Sequence, residues 1–283
     1  RPVGEAANGT YWLDTSTSLW GIQQWNVTTG AFTVINPIVI TDTNNVVDYE
    51  ANDYTPLASI GAIGDYAVSA LPAVHSTDPH FPQYYKNNSN QWVLIGSQDW
   101  QSSWPTVTGT NAPTSLTTGA NMFINGQLVT VGAAYASTVA GLAQEITAAG
   151  IAGVDAAAVG GKLYIYANSL ATNDGSTADG TGIVSIQAGP NSGVALLTAL
   201  GIAGIEYYAP LYFAGYSYQA PRWGSTQTQP RPTGSVWQKQ NNVNLGANLV
   251  LKKYSTTLGT WVQQACPIYA NGAEAIYNLD PSG

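Results

Sequence analysis

The sequence predicts a mainly β protein with an inserted α+β domain, its aromatic β-hairpins repeating to form a sandwich- or barrel-like scaffold. Three observations carry this. Over residues 9–40, 63–100 and 234–268, aromatic and β-branched residues alternate with polar ones, which is the period of a half-buried strand. Short Thr/Asn/Ser/Gly runs interrupt those stretches at hairpin spacing. Only residues 121–167 combine a hairpin dipeptide, a helical apolar spacing and a glycine stop.

In chain order, residues 9–40 read as strands and hairpins, with turns at residues 14–18 and at Thr28-Thr29-Gly30. Residues 63–100 repeat the plan, and residues 234–268 repeat it again. In each copy a glycine-led strand precedes an aromatic residue, a polar turn and another aromatic: Trp25 and Phe32, Tyr85 and Trp92, Tyr254 and Trp261. The three pairs share one spacing. Pro37-Ile38 and Pro267-Ile268 close the first and third copies, so the three stretches read as divergent copies of one β unit. The scaffold is thus expected in two parts, residues 1–118 and 207–283.

Between them, residues 119–206 form the expected insertion, flanked by linkers at residues 106–118 and from Ala209-Pro210 onward. Asn125-Gly126 sits between apolar runs and predicts a two-residue hairpin turn. Ser137 then caps a helix whose face collects Val139, Leu142, Ala143, Ile146 and Ala149, and Gly150 ends it. A second hairpin turns at Gly160-Gly161. Residues 183–188 read as a strand, and Asn191-Ser192 caps a short helix over residues 194–200 that stops at Gly201.

The wording Phe-Ile-Asn-Gly-Gln, then Val-Thr-Val, Ser-Thr-Val-Ala and a helix ending Ile-Thr-Ala-Ala-Gly-Ile resembles the small β/α insertion modules of flagellin and hook-associated proteins, which also occur in virion proteins of tailed bacteriophages. The flanking hairpin units are similar to those of structural proteins of contractile-tailed phages. These resemblances imply a virion structural protein of a tailed phage with a surface-decorating domain. They imply no chemistry.

Composition narrows the function classes independently. Charged residues make up 8% of the 283-residue chain against 45% hydrophobic, so Asn, Gln, Ser and Thr must cover the surface. That pattern suits a subunit outside a cell or one packed among neighbours. The formal net charge of −8 removes the electrostatic term that a nucleic-acid groove or an anionic membrane contact needs. Neither partner is expected. Lys252-Lys253, the only adjacent basic pair, reads as a solvated strand position. One cysteine, Cys266, excludes an intrachain disulfide and a cysteine metal cluster, and reads as a small buried apolar residue. No apolar run reaches membrane-spanning length and no charged-then-apolar leader opens the chain, so neither a membrane anchor nor classical secretion is expected.

Candidate sites are few. His75, Asp78 and His80 offer two imidazoles and a carboxylate for one metal ion, against the plainer reading of a polar loop extended by Pro79. Asn173-Asp174-Gly175 with Asp179-Gly180, and the group Asp42, Asp48, Glu50 and Asp53, offer oxygens but lack calcium-loop spacing and read as turn formers. Trp92, Trp100 and Trp104, with Tyr84 and Tyr85, suit either a sugar-stacking platform or a core and subunit interface. No nucleophile elbow, phosphate loop or zincin motif occurs, though a carboxylate pair meeting in space is invisible to spacing.

The expectation is therefore a non-enzymatic, cofactor-free virion subunit, in tail, baseplate, fibre or capsid surface, that assembles with itself and with other virion proteins. The mechanism is packing, with Trp12, Trp25, Trp92, Trp237 and Trp261 buried within or between subunits. The alternative is an adhesin binding a receptor or host-surface glycan.

Overall fold

The structure is a computed structural model that describes residues 11–26, 28–75, 81–167, 182–217, 219–220, 234–240 and 246–269. Strands hold 39% of it and helices 12%, so sheets set the architecture. The first part of the chain supplies β1 (Tyr11–Leu13), β2 (Ile22–Asn26), β3 (Ala31–Val34), β4 (Ile38–Ile40), β5 (Val46–Asp48) and β6 (Asp53–Pro56). It continues with β7 (Tyr66–Ser69), β8 (Gln83–Lys86), β9 (Trp92–Leu94) and the one-turn α1 (Gln98–Gln101). Next come β10 (Val107–Thr108), β11 (Asn121–Ile124), β12 (Gln127–Thr130), α2 (Val139–Ala148), β13 (Val154–Val159) and β14 (Lys162–Ala167). After these lie β15 (Ile183–Ala188), α3 (Gly193–Leu200), β16 (Glu206–Tyr208) and β17 (Tyr212–Ser217). Last are β18 (Val236–Lys239), β19 (Leu251–Ser255) and β20 (Thr260–Gln264).

The two ends of the chain build the same sheets. Strand β18 pairs with β2 on one side and, in parallel, with β17 on the other, giving the order β17-β18-β2-β3. Likewise β1 completes the β19-β20 hairpin. A second four-stranded sheet, β4-β7-β8-β9, faces the first across Trp20, Ile22 and Val236 on one side and Tyr66, Val68, Tyr85 and Val93 on the other, with Trp100 of α1 filling the same core. Each of these side chains contributes roughly 1.5–3 kcal/mol through burial. The opposite face of the second sheet is covered too, where Ala67, Tyr84 and Trp92 meet Ile38 and Ile60, and the β5-β6 hairpin adds Val46 and Tyr54 over Ile40 and Leu71. Burial on both faces explains why β7 and β8 are buried at every position instead of alternating. Among the described residues no sheet closes into a barrel.

All three aromatic hairpins form, but they are not interchangeable. Trp25 stands opposite Phe32, and Tyr254 opposite Trp261, each across a four-residue turn whose final glycine has positive φ (62° at Gly30, 61° at Gly259). In the middle hairpin Lys86 stands opposite Trp92, so Tyr85 pairs with Val93. One extra loop residue moves the register by one and sends Tyr85 and Trp92 to opposite faces. The equal sequence spacing of the three pairs therefore hides different geometry. Of the tryptophans expected to be buried, Trp92 and Trp237 are, Trp25 and Trp261 are half-buried, and the Trp12 side chain lies outside the description.

The middle of the chain packs around its own core, running from Val107 to Ala209 and therefore beyond residues 119–206 on both sides. Sheets β12-β11-β15-β16 and β10-β14-β13 enclose it with α2 and α3. Asn125 and Gly126 adopt φ of 48° and 80°, and Gly160 and Gly161 adopt 57° and 76°, the mirror-image turns that both dipeptides predict. Helix α2 buries Val139, Leu142, Ala143 and Ile146 as its spacing requires. Its cap differs from expectation. Thr138 Oγ1, not Ser137, accepts from Gly141 N at 3.1 Å, because Ser137 is held outside the helix by a 2.6 Å hydrogen bond with Thr118. At α3, Ser192 makes no side-chain cap and has φ of 49°, while Gly201 closes the helix as its position predicts.

Candidate functional site

Three carboxylates of the group at residues 42–53 serve their own turns. Asp42 Oδ1 accepts from Asn44 N, Asp48 Oδ1 from Ala51 N and Asp53 Oδ1 from Thr55 N, at 2.9, 3.1 and 3.1 Å. Each carboxylate thereby holds a local bend. His75 Nδ1 lies 3.1 and 3.2 Å from the two side-chain polar atoms of Asn52, while Asp78 and His80 lie outside the described residues, as do Asn173, Asp174 and Asp179. Among the described residues no three His, Cys, Asp or Glu side chains are placed to hold one metal ion.

The five aromatic residues do not share one surface. Successive strand residues point to opposite faces, so Tyr84 joins Trp92 on one side of the sheet and Tyr85 joins the inter-sheet core on the other. Trp100 is fully enclosed. Trp104 stacks on Tyr85 at 5.0 Å and 28°, beneath Gly234, where an added Cβ would come within 2.6 Å of the indole. Tyr84, Tyr85, Trp92 and Trp100 are buried, and Trp104 is half-buried. Burial pushes the Tyr84 phenol up to about 12 and raises Tyr66 and Tyr85 as well.

Three ionisable groups that sequence spacing did not single out are built into the fold. Lys86 is 1% exposed and its Nζ donates to Ala58 O, Ile60 O and Gly61 O at 2.7, 2.7 and 3.0 Å. Glu145, buried on α2, accepts from Ala134 N and Tyr135 N at 2.6 and 2.8 Å. Asp14 meets Lys252 at 2.6 Å, which corrects the reading of Lys252 as a merely solvated residue. That hydrogen bond, with a second from Ser16, holds the Asp14 carboxyl well below the usual carboxylate range. Cys266 is half-buried, not fully buried, because β20 has already ended at Gln264.

An open cleft of about 530 Å³ lies where the scaffold meets the middle unit. One wall is the β8-β9 turn. There Asn87 Oδ1 accepts from Ser89 N and Gln91 N, both at 3.0 Å, and Asn90 takes φ of 60°. The opposite wall is α1, capped by Ser97 Oγ accepting from Trp100 N at 3.2 Å, which presents Asp99, Ser102 and Ser103. Tyr166 of β14 reaches in from the middle unit, its phenol raised first by burial and then by Tyr164. The walls therefore carry amides, hydroxyls and one carboxylate beside the apolar Trp92 and Val93, with no basic side chain. Sequence reading took this stretch only as the polar turn of an aromatic hairpin. The missed signal was its density of amide side chains, and no spacing tied it to Tyr166. No described helix is long and apolar enough to cross a membrane. Comparison with protein families, curated proteins and solved structures gives no match.

Proposed function

We propose that the chain is a non-enzymatic structural subunit of a tailed-phage virion that acts by self-assembly, with itself and with other virion proteins as partners. The observation that carries this reading is where the charged groups go. In a chain with only 8% charged residues, Lys86, Glu145, Asp14, Asp42, Asp48 and Asp53 all hold the backbone or one another in place. The surface left over is sparse in charge and mostly hydrogen-bonding, so close association desolvates few ions. In this reading the two facing four-stranded sheets form a sandwich-like scaffold, and the middle unit is an inserted decoration on the particle surface. The flagellin- and hook-like wording of residues 121–151 supports the same placement.

Electron microscopy of the purified chain and of its parent particle tests the proposal. Rings, filaments or a decorated shell at many copies per particle are expected, and a monodisperse monomer that particles lack overturns it. The second reading, a glycan-binding adhesin, is favoured by one observation, the polar cleft beside the β8-β9 turn.

A further inference from the structure

We propose that the cleft between the β8-β9 turn, α1 and Tyr166 binds a neutral saccharide. This goes beyond the assembly role and stands or falls separately from it. The argument starts from what each wall has left to offer. Asn87 spends its carbonyl oxygen on Ser89 N and Gln91 N, so its amide NH2 remains a donor. Asn88 and Gln91 are exposed beside it and add further amide donors. Across the cleft, Ser102 Oγ donates to Gln98 O at 2.9 Å and Ser103 Oγ to Asp99 O at 2.8 Å. Both hydroxyls therefore turn lone pairs outward, and the exposed Asp99 carboxylate is an acceptor only.

Amides that donate and accept on one wall, facing hydroxyl and carboxylate oxygens on the other, match a hydroxyl group, which accepts and donates at once. A row of hydroxyls on a sugar ring satisfies both walls together. Other ligand classes fit less well. The cleft has no Lys or Arg for a phosphate or sulfate. A single carboxylate is too few for a hard cation. Amides and hydroxyls would lose their hydration against an apolar ligand without replacement. The volume of about 530 Å³ lies in the range of small-ligand sites and suits a short oligosaccharide. The walls are also preformed. The Asn87 side chain and the positive φ of Asn90 fix the turn, and Ser97 fixes α1, so little ordering is required on binding.

The test uses the full chain and saturation-transfer NMR with isothermal titration, against maltotetraose, cellotetraose, chitotetraose and mannotetraose, with a sulfated heparin tetrasaccharide as the charged comparison. At least one neutral tetrasaccharide is expected to bind, and Asp99→Ala and Gln91→Ala are each expected to weaken it at least tenfold. All these side chains are exposed, so the thermal midpoint serves as the folding control, and Asn88→Ala is an independent variant should either of the others unfold. The proposal is overturned if none of the four binds at ~10 mM, a concentration that would fill even a millimolar site. It is equally overturned if binding survives in the Asp99→Ala/Gln91→Ala double variant, or if only the sulfated probe binds. Particle assembly by the double variant, scored by electron microscopy, reports on the structural role alone and is expected to be unchanged.

Discussion

Lys86 and Trp92 stand directly opposite each other in the β8-β9 pair, and the Lys86 ammonium lies 5.4 Å from the centroid of the Trp92 ring. The same ammonium gathers the carbonyls of Ala58, Ile60 and Gly61, and Trp92 Nε1 donates to Leu57 O at 3.2 Å. Together the two side chains pin residues 57–61 onto the sheet. Replacing Lys86 by Met keeps the stem but leaves three inward carbonyls without their donor. A loss on the order of 3–5 kcal/mol is expected by urea unfolding. Lys86→Arg should also destabilise, because a planar fork does not suit three carbonyls converging on one point. A change below ~1 kcal/mol for Lys86→Met would show that these carbonyls find other donors at little cost.

Asp14 and Lys252 join the first strand region to the penultimate strand, and the pair gives stability a defined acid dependence. The folded carboxyl titrates below its unfolded value of about 3.9. Its contribution is therefore present above pH ~4 and is lost as pH falls from there towards the folded pKa. Asp14→Asn should flatten the stability profile below pH ~4 relative to the parent, as read by denaturant midpoints across that window. Parallel profiles for the two proteins would remove this pair as a source of acid sensitivity.

Local chemistry was legible wherever neighbours in sequence decide it. Asn125-Gly126, Gly160-Gly161, Gly150 and the apolar face of α2 all follow from backbone freedom and helical period. The cap expected at Ser137 falls one residue later on Thr138, because the Thr118 hydroxyl that engages Ser137 comes from an earlier loop. The middle aromatic hairpin was misaligned by one residue because loop length, not residue type, sets register. The Lys86 cage, the Asp14–Lys252 pair and the meeting of Tyr166 with the β8-β9 turn join distant segments, for which a single sequence holds no periodic signal.

Gly141 offers a case where two effects oppose. Alanine is the better helix former by about 1 kcal/mol. At this position, however, an added Cβ would collide with the carbonyl oxygen of Ala136, which is backbone and cannot swing aside. The clash should win, and Gly141→Ala should lower stability by roughly 1–3 kcal/mol. Gln144→Ala, on the exposed face of the same helix, is the control and should be nearly neutral. A higher thermal midpoint for Gly141→Ala would mean that α2 can shift away from that loop.

Burial raises the phenols of Tyr66, Tyr84 and Tyr85, which keep their protons in the folded state above the pH where an unfolded tyrosine loses them. Their contribution to stability is complete below pH ~10 and declines as pH rises beyond it. An absorbance titration near 295 nm should show part of the 17 tyrosines ionising only in step with unfolding. Full ionisation at pH ~11, with circular dichroism unchanged, would contradict the enclosure of these rings.

Gln101 Nε2 donates to Pro210 O at 3.4 Å, so the chain leaves the scaffold and rejoins it at neighbouring points. Between them, Thr106 N donates to Ile165 O, β10 pairs with β14, and Ala209 N donates to Gly182 O, all inside the middle unit. The cut that respects this packing removes residues 106–209 and bridges the gap with a short Gly/Ser linker. Removing only residues 119–206 strips β10 of its partner strand and leaves Val107, Leu116 and Ala209 without the core they fill. Such a protein exposes apolar side chains and an unpaired strand edge, the combination that favours aggregation. The longer deletion is expected to be soluble with a cooperative thermal transition, and the shorter one to lose most of its soluble yield. If both aggregate, the scaffold needs the middle unit to fold. If the shorter deletion is equally soluble and equally stable, Val107 and Ala209 belong to the scaffold and the unit is smaller than its core suggests.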